Sequence, residues 1–122
     1  MSEETYFLDT YAIMEFIGGN KNYEPYLDKK FVIAEFNLAE LAYTLFREKY
    51  SNSGEYLGMY KKLIRAVNPE WIIEAMKFRL KWKDRKVSIP DCIGYIMAKH
   101  LGIKFLTGDK EFEGLENVEF VR

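Results

Sequence analysis

Four short, mostly apolar runs of strand length constrain this chain more than any other feature. They are Thr5-Tyr6-Phe7-Leu8, Phe31-Val32-Ile33-Ala34, Ile103-Lys104-Phe105-Leu106 and Val118-Glu119-Phe120-Val121. Between them, apolar residues recur at helical spacing. Short buried runs separated by helices form a parallel sheet covered on both faces. The expected fold is α/β: a three-layer α/β/α sandwich with a central parallel β-sheet.

The intervening segments carry helix boundaries. Tyr11 to Ile17 reads as a helix ended by Gly18-Gly19-Asn20, and Asn22 to Asp28 as a short one. Asn37-Leu38-Ala39-Glu40 has capping-box spacing, with Asn37 as N-cap and Glu40 at the third helical position. That helix runs towards Tyr50, and Ser51-Asn52-Ser53-Gly54 is a loop before another helix from Glu55 to Val67. Asn68-Pro69 starts the next, through Ile72, Ala75, Met76 and Leu80, although its tail from Lys77 to Lys83 also alternates like a strand. Ser88-Ile89-Pro90-Asp91 opens a last helix, which runs to Gly102. No repeat or linker interrupts the 122 residues, so a single domain over 1–122 is expected.

Composition excludes several classes. Apolar residues make up 48% and aromatics 16%, too rich for a disordered tail. Asp9 and Glu15 break the longest apolar stretch, so no membrane span is expected. Met1-Ser2-Glu3-Glu4 lacks the positive start of a secretory signal. A lone cysteine, Cys92, and a lone histidine, His100, exclude an internal disulfide and argue against a Cys/His zinc site. These features predict a reduced, cytoplasmic protein. Net charge is -1, but Glu55 to Lys86 holds nine Lys/Arg against four Asp/Glu, a basic lobe beside an acidic remainder.

The acids fall in a pattern. In an open parallel sheet, ligands bind outside the carboxyl ends of the strands. Asp9 follows the first strand, Glu40 lies early in the helix after the second, and Asp109 follows the Ile103–Leu106 strand. Asp91 opens the helix feeding that strand and joins the same rim if the helix runs antiparallel to the sheet. Each acid alone could equally be a cap, worth about 1 kcal/mol. Four carboxylates converging on one rim, with no Lys, Arg or His placed there by the motifs, either take up protons or recruit a cation. Oxygen-only donors suit Mg²⁺ or Mn²⁺, and such an ion suits hydrolysis of a phosphodiester without a nucleophilic side chain.

These residues resemble the PIN domain family of metal-dependent ribonucleases. The resemblance rests on Tyr6-Phe7-Leu8-Asp9-Thr10, Asn37-Leu38-Ala39-Glu40, Ile89-Pro90-Asp91 before an apolar helix, and Phe105-Leu106-Thr107-Gly108-Asp109-Lys110-Glu111-Phe112. It implies a metal site of Asp9, Glu40, Asp91 and Asp109, with Thr10 and Thr107 as hydroxyl neighbours. It also implies an RNA substrate, and small members resemble VapC toxins, which often dimerise and are silenced by an antitoxin. Glu111 stands where an aspartate is frequent.

Other features read more plainly. Lys77 to Lys86 holds six Lys/Arg with Phe78 and Trp82 interleaved; it reads either as an RNA-tracking strip or as a solvated helix face whose rings pack inward. Cys92 reads as packing, His100 as a residue at a helix end, and Met14, Met59, Met76 and Met97 as core fillers. Nine tyrosines and nine phenylalanines suggest an apolar interface besides the core, fitting a homodimer or an antitoxin groove. Two other functions compete. A phosphoacceptor, receiver-like signalling domain shares the size and topology, but here no second acid adjoins Asp9 and no Lys-Pro turn follows a late strand. A non-catalytic PIN-like RNA-binding module would not require all four acids.

Overall fold

The first and third apolar runs pair with each other, and everything else is arranged about them. In the computed structural model, which describes residues 4–122, the strands are β1 (Thr5–Leu8), β2 (Lys30–Val32), β3 (Lys104–Thr107) and β4 (Val118–Phe120). All neighbours are parallel, in the order β2-β1-β3-β4. Phe7 lies opposite Val32 on one side and Phe105 on the other. Chain direction across the sheet therefore reverses between β1 and β3, the topological switch point where a crevice opens at the carboxyl ends.

Helices α1 (Thr10–Ile17), α2 (Glu35–Arg47), α3 (Ser53–Tyr60), α4 (Pro69–Lys81) and α5 (Ile89–Leu101) complete the layers. Strand alternation divides the core. Phe7 and Phe105 face Ile93, Met97 and Phe112 in one cluster, while Tyr6, Leu8 and Leu106 face Ile13, Ile33, Leu41 and Leu45 in the other. The expected three-layer sandwich is what these two clusters make. Helix α5 lies hard against the sheet because Gly94 has no side chain: a Cβ there would stand 2.5 Å from Phe7 Cε1. Among the described residues, no helix is long and apolar enough to cross a membrane. The Met1-Ser2-Glu3 start lies outside the described residues.

Several boundaries differ from the sequence reading. Helix α2 begins at Glu35 with Ala34 as N-cap, three residues before the cap expected at Asn37. Asn37 is the third helical residue and reaches back, its Oδ1 accepting from the Ala34 N–H at 3.0 Å. The capping signal was real, but it belonged to the rear half of the box, which moves Glu40 into the second turn. The helix expected to reach Val67 stops at Tyr60, followed by a 3₁₀ turn, Lys61–Leu63. Ile64 then bridges Ile33 in parallel, with Ile33 N–H donating to Leu63 O and Arg65 N–H to Ile33 O. The open edge beyond β2 thereby gains backbone partners that a continued helix could not supply. The segment expected as a short helix over Asn22–Asp28 is a 3₁₀ helix, Lys21–Tyr26, and the ambiguous tail stays helical to Lys81. Met97 is buried as expected, whereas Met59 is 57% exposed and fills no core.

Candidate active site

Each acid is fixed by the local structure that follows its strand or opens its helix. Asp9 caps α1, its Oδ1 accepting from Ala12 N–H at 2.8 Å. Its Oδ2 accepts from the Thr107 hydroxyl at the end of β3. That hydroxyl in turn accepts from Asp109 N–H at 3.0 Å, which leaves its proton to point at Asp9. Asp109 caps the 3₁₀ turn Lys110–Phe112 by accepting from Glu111 N–H at 3.0 Å. Asp91 is the third residue of α5 in a reciprocal capping box: its Oδ2 accepts from Ser88 N–H, and its own N–H donates to Ser88 Oγ, both at 3.1 Å. Glu40 caps nothing; its Oε1 accepts from the Thr10 hydroxyl at 2.6 Å.

Capping and site membership are therefore compatible. A cap occupies one carboxylate oxygen and fixes the torsion; the other accepts from Thr107 in Asp9 and is left without a donor in Asp91 and Asp109, among the described residues. Among the described residues, no donor reaches Asp91 Oδ1, Asp109 Oδ2 or Glu40 Oε2. Asp9, Glu40, Asp91 and Asp109 line one open cleft of about 590 Å³ between α1, α2 and the carboxyl ends of β1 and β3. Their fields overlap. Burial drives the Asp9 carboxyl well above the ordinary range; the Thr107 and Ala12 bonds oppose this, and the Asp91 and Asp109 charges add to it. Asp91 is pushed up to about 6, by burial first, with the Ser88 bonds opposing and the Glu40 and Asp109 charges adding.

The donors are of the right kind for a hard divalent ion, oxygen only, and the charge excess asks for one. Their spacing is that of a rim and not of a closed cage: among the described residues, no three acids, histidines or cysteines stand close enough together to hold an ion. The convergence expected from sequence is present at the scale of the cleft, not at ligand distance.

Several lining residues escaped the sequence reading: Tyr11, Met14 and Glu15 from α1, and Tyr43, Thr44 and Arg47 from α2. The last three stand three, four and seven places after Glu40, so helical phase was the available signal. Arg47 brings a cation to a rim expected to have none, although its Nε lies 3.1 Å from Glu48 Oε2. Glu111 contributes its backbone only. His100 is elsewhere, stacked on Trp71 with Nε2 2.8 Å from Glu74 Oε1. Cys92 is buried, and burial pushes its thiol up to about 12, which removes it as a nucleophile.

The PIN domain family model matches residues 6–118, a span containing all four acids. The chain belongs to the PIN domain family. No curated protein matches it by sequence. Its PIN fold is shared with VapC20 of Mycobacterium tuberculosis, a sarcin-ricin loop cleaving toxin: TM-score 0.75, 17% identity, 96% of this chain and 99% of that one covered. VapBC2 of Rickettsia felis, bound to a DNA fragment from its promoter, gives 0.74 at 18% identity, with 97% and 99% covered. A toxin-antitoxin complex from Klebsiella pneumoniae gives 0.71 at 16%, with 93% and 95% covered. Membership in the PIN family sets aside the phosphoacceptor alternative.

Proposed function

We propose that this PIN protein is a metal-dependent endoribonuclease acting as the toxin of a toxin-antitoxin pair. The observation that carries the reading is the cleft at the switch point, where four carboxylates from distant segments each keep an oxygen or a lone pair uncommitted. An ion of this kind keeps several waters and needs only one or two direct carboxylates, so Asp9, Glu40, Asp91 and Asp109 would hold Mg²⁺ or Mn²⁺ from the rim partly through those waters. Bound there, such an ion supplies an acidified water and neutralises charge on a phosphodiester. The chain's own groups hold the arrangement: Ala12 N–H and Thr107 fix Asp9, Thr10 orients Glu40, and Ser88 sets Asp91. The toxin neighbours support the antitoxin partner, and the same proposal includes one domain over 1–122, a homodimer and a cytoplasmic setting.

The test is incubation with total cellular RNA, with and without Mn²⁺, followed by mapping of the cut ends. Discrete ends that require the ion and vanish with Asp109→Asn are expected. Cleavage that is indifferent to chelator, or unaltered in that variant, overturns the proposal.

A further inference from the structure

The basic stretch outside the cleft builds a recess of its own. Met76, Arg79, Leu80, Trp82, Lys83 and Arg85 enclose about 220 Å³ at the end of α4 and in the turn after it. Trp82 and Phe78 do not offer free rings to bases. Phe78 stacks on Tyr95, Trp82 packs against Phe78 and Phe112, and the Arg85 guanidinium lies 4.2 Å from the Trp82 ring centroid. The cations, by contrast, are held but unspent. Arg85 donates one Nη1 hydrogen to Glu111 O at 2.9 Å, and Arg79 donates its Nε hydrogen to Val87 O at 3.2 Å. Among the described residues, no carboxylate pairs with Arg79, Lys83 or Arg85. Two guanidinium forks anchored to carbonyls, with an ammonium beside them, can serve several oxygens of one anion at once.

The anchor points tie this recess to the cleft. Glu111, which holds Arg85, gives its own N–H to Asp109. Val87, which holds Arg79, directly precedes the Ser88 cap of Asp91. The two segments that present acids to the cleft thus also position the arginines.

We propose that Arg79, Lys83 and Arg85 form a phosphate subsite for single-stranded RNA, seating a backbone phosphate beside the linkage presented to the acids. This rests on the nuclease reading and adds to it where the strand runs. An acidic protein segment is the other polyanion that could reach the recess. RNA is favoured because the recess is anchored to the cleft's own segments and because a phosphate offers the forks more acceptor oxygens than a carboxylate.

The experiment measures binding of a labelled single-stranded RNA of about a dozen nucleotides to the full chain by anisotropy, in EDTA and across a salt series. Cleavage of the same RNA in Mn²⁺ is followed alongside. Lys83→Gln and Arg85→Gln should each weaken binding severalfold and flatten the log–log salt slope by about 0.7 per lost contact. Arg85→Lys should recover only part, because the fork is lost. In cleavage, the larger share of the loss should fall on KM. Lys62→Gln, an equal charge loss away from the recess, should leave binding unchanged. Equal weakening by Lys62→Gln, or no change in affinity and slope on altering the recess, overturns the subsite while wild-type cleavage keeps the nuclease reading. Poly-glutamate binding lost in the recess variants with RNA affinity intact assigns the recess to a protein partner and also overturns it. Absence of RNA cleavage by the wild type instead overturns the nuclease reading.

Discussion

The acidic cleft and the basic recess share two backbone segments, yet they handle charge in opposite ways. In the cleft, carboxylates are half-buried or, for Asp9, 1% exposed, and each is bonded to a backbone amide or a threonine hydroxyl. In the recess, the cations are exposed and lean on carbonyls and an indole face. Exposed charge costs a fold little, whereas like charges out of water cost several kcal/mol unless protonated or neutralised. The cleft therefore holds its charges at a cost to stability, and the recess does not.

The largest expected effect tests that contrast directly. Asp9→Asn should reduce cleavage by more than the ~100-fold typical of losing an outer-shell partner of a metal site. Its oxygen can still cap Ala12, and its amide can donate to Thr107 once that hydroxyl turns its own proton away, so the cap is kept while one unfavourable charge disappears. Thermal unfolding in EDTA should move upwards, on the order of 1 kcal/mol in stability. A fall of several kcal/mol would mean that Asp9 serves α1 as a cap and little else. Removing charge from the recess at Lys83 should leave unfolding within about 0.5 kcal/mol of wild type.

How far this contrast could be read from sequence depended on distance along the chain. Asp9 and Asp109 were legible because each directly follows an apolar run, and a strand end fixes the rim without further information. Asp91 was legible through Ser88, whose capping box is purely local. Glu40 was placed on the rim, but its register in the helix was three residues out, because Asn37 caps backwards onto Ala34 and a single Asn–Glu spacing cannot distinguish the halves of a box. Arg47 was missed because its place in the cleft depends on helical phase from Glu40. Inward packing of the Trp82 ring was one of the two readings of its stretch, but its partner Phe112 stands thirty residues away, and the Ile33–Ile64 bridge likewise requires tertiary structure. No local pattern encodes either.

A smaller effect separates burial from metal demand. Asp91 is raised from 3.8 to about 6 in the folded chain, so between those values the folded state binds more protons than the unfolded state. Stability from this group is fully present below about pH 4 and is lost as pH rises through about 6, amounting to up to about 3 kcal/mol. Urea unfolding in EDTA should show that decline, and Asp91→Asn should reduce it, leaving the part that the raised Asp9 carboxyl contributes. Saturating Mn²⁺ should restore stability at the upper end, where the carboxylates are ionised. A metal-free protein equally stable at pH 4.5 and 6.5 would show that the cleft acids are not held against their charge.

The smallest effect concerns the segment the two regions share. Ser88→Ala removes the hydroxyl that accepts from Asp91 N–H, and an N-cap loss of this kind costs about 1 kcal/mol. The reciprocal bond survives, because Ser88 donates to Asp91 Oδ2 through its backbone N–H. Asp91 should therefore stay oriented, and kcat should fall far less than in Asp91→Asn, while unfolding shifts by the capping amount. Val87, one residue earlier, still anchors Arg79 through its carbonyl. If the cap alone were aligning both regions, kcat and RNA affinity would drop together in Ser88→Ala. A loss confined to stability would show that backbone groups, which no side-chain substitution removes, hold the acids and the arginines in register.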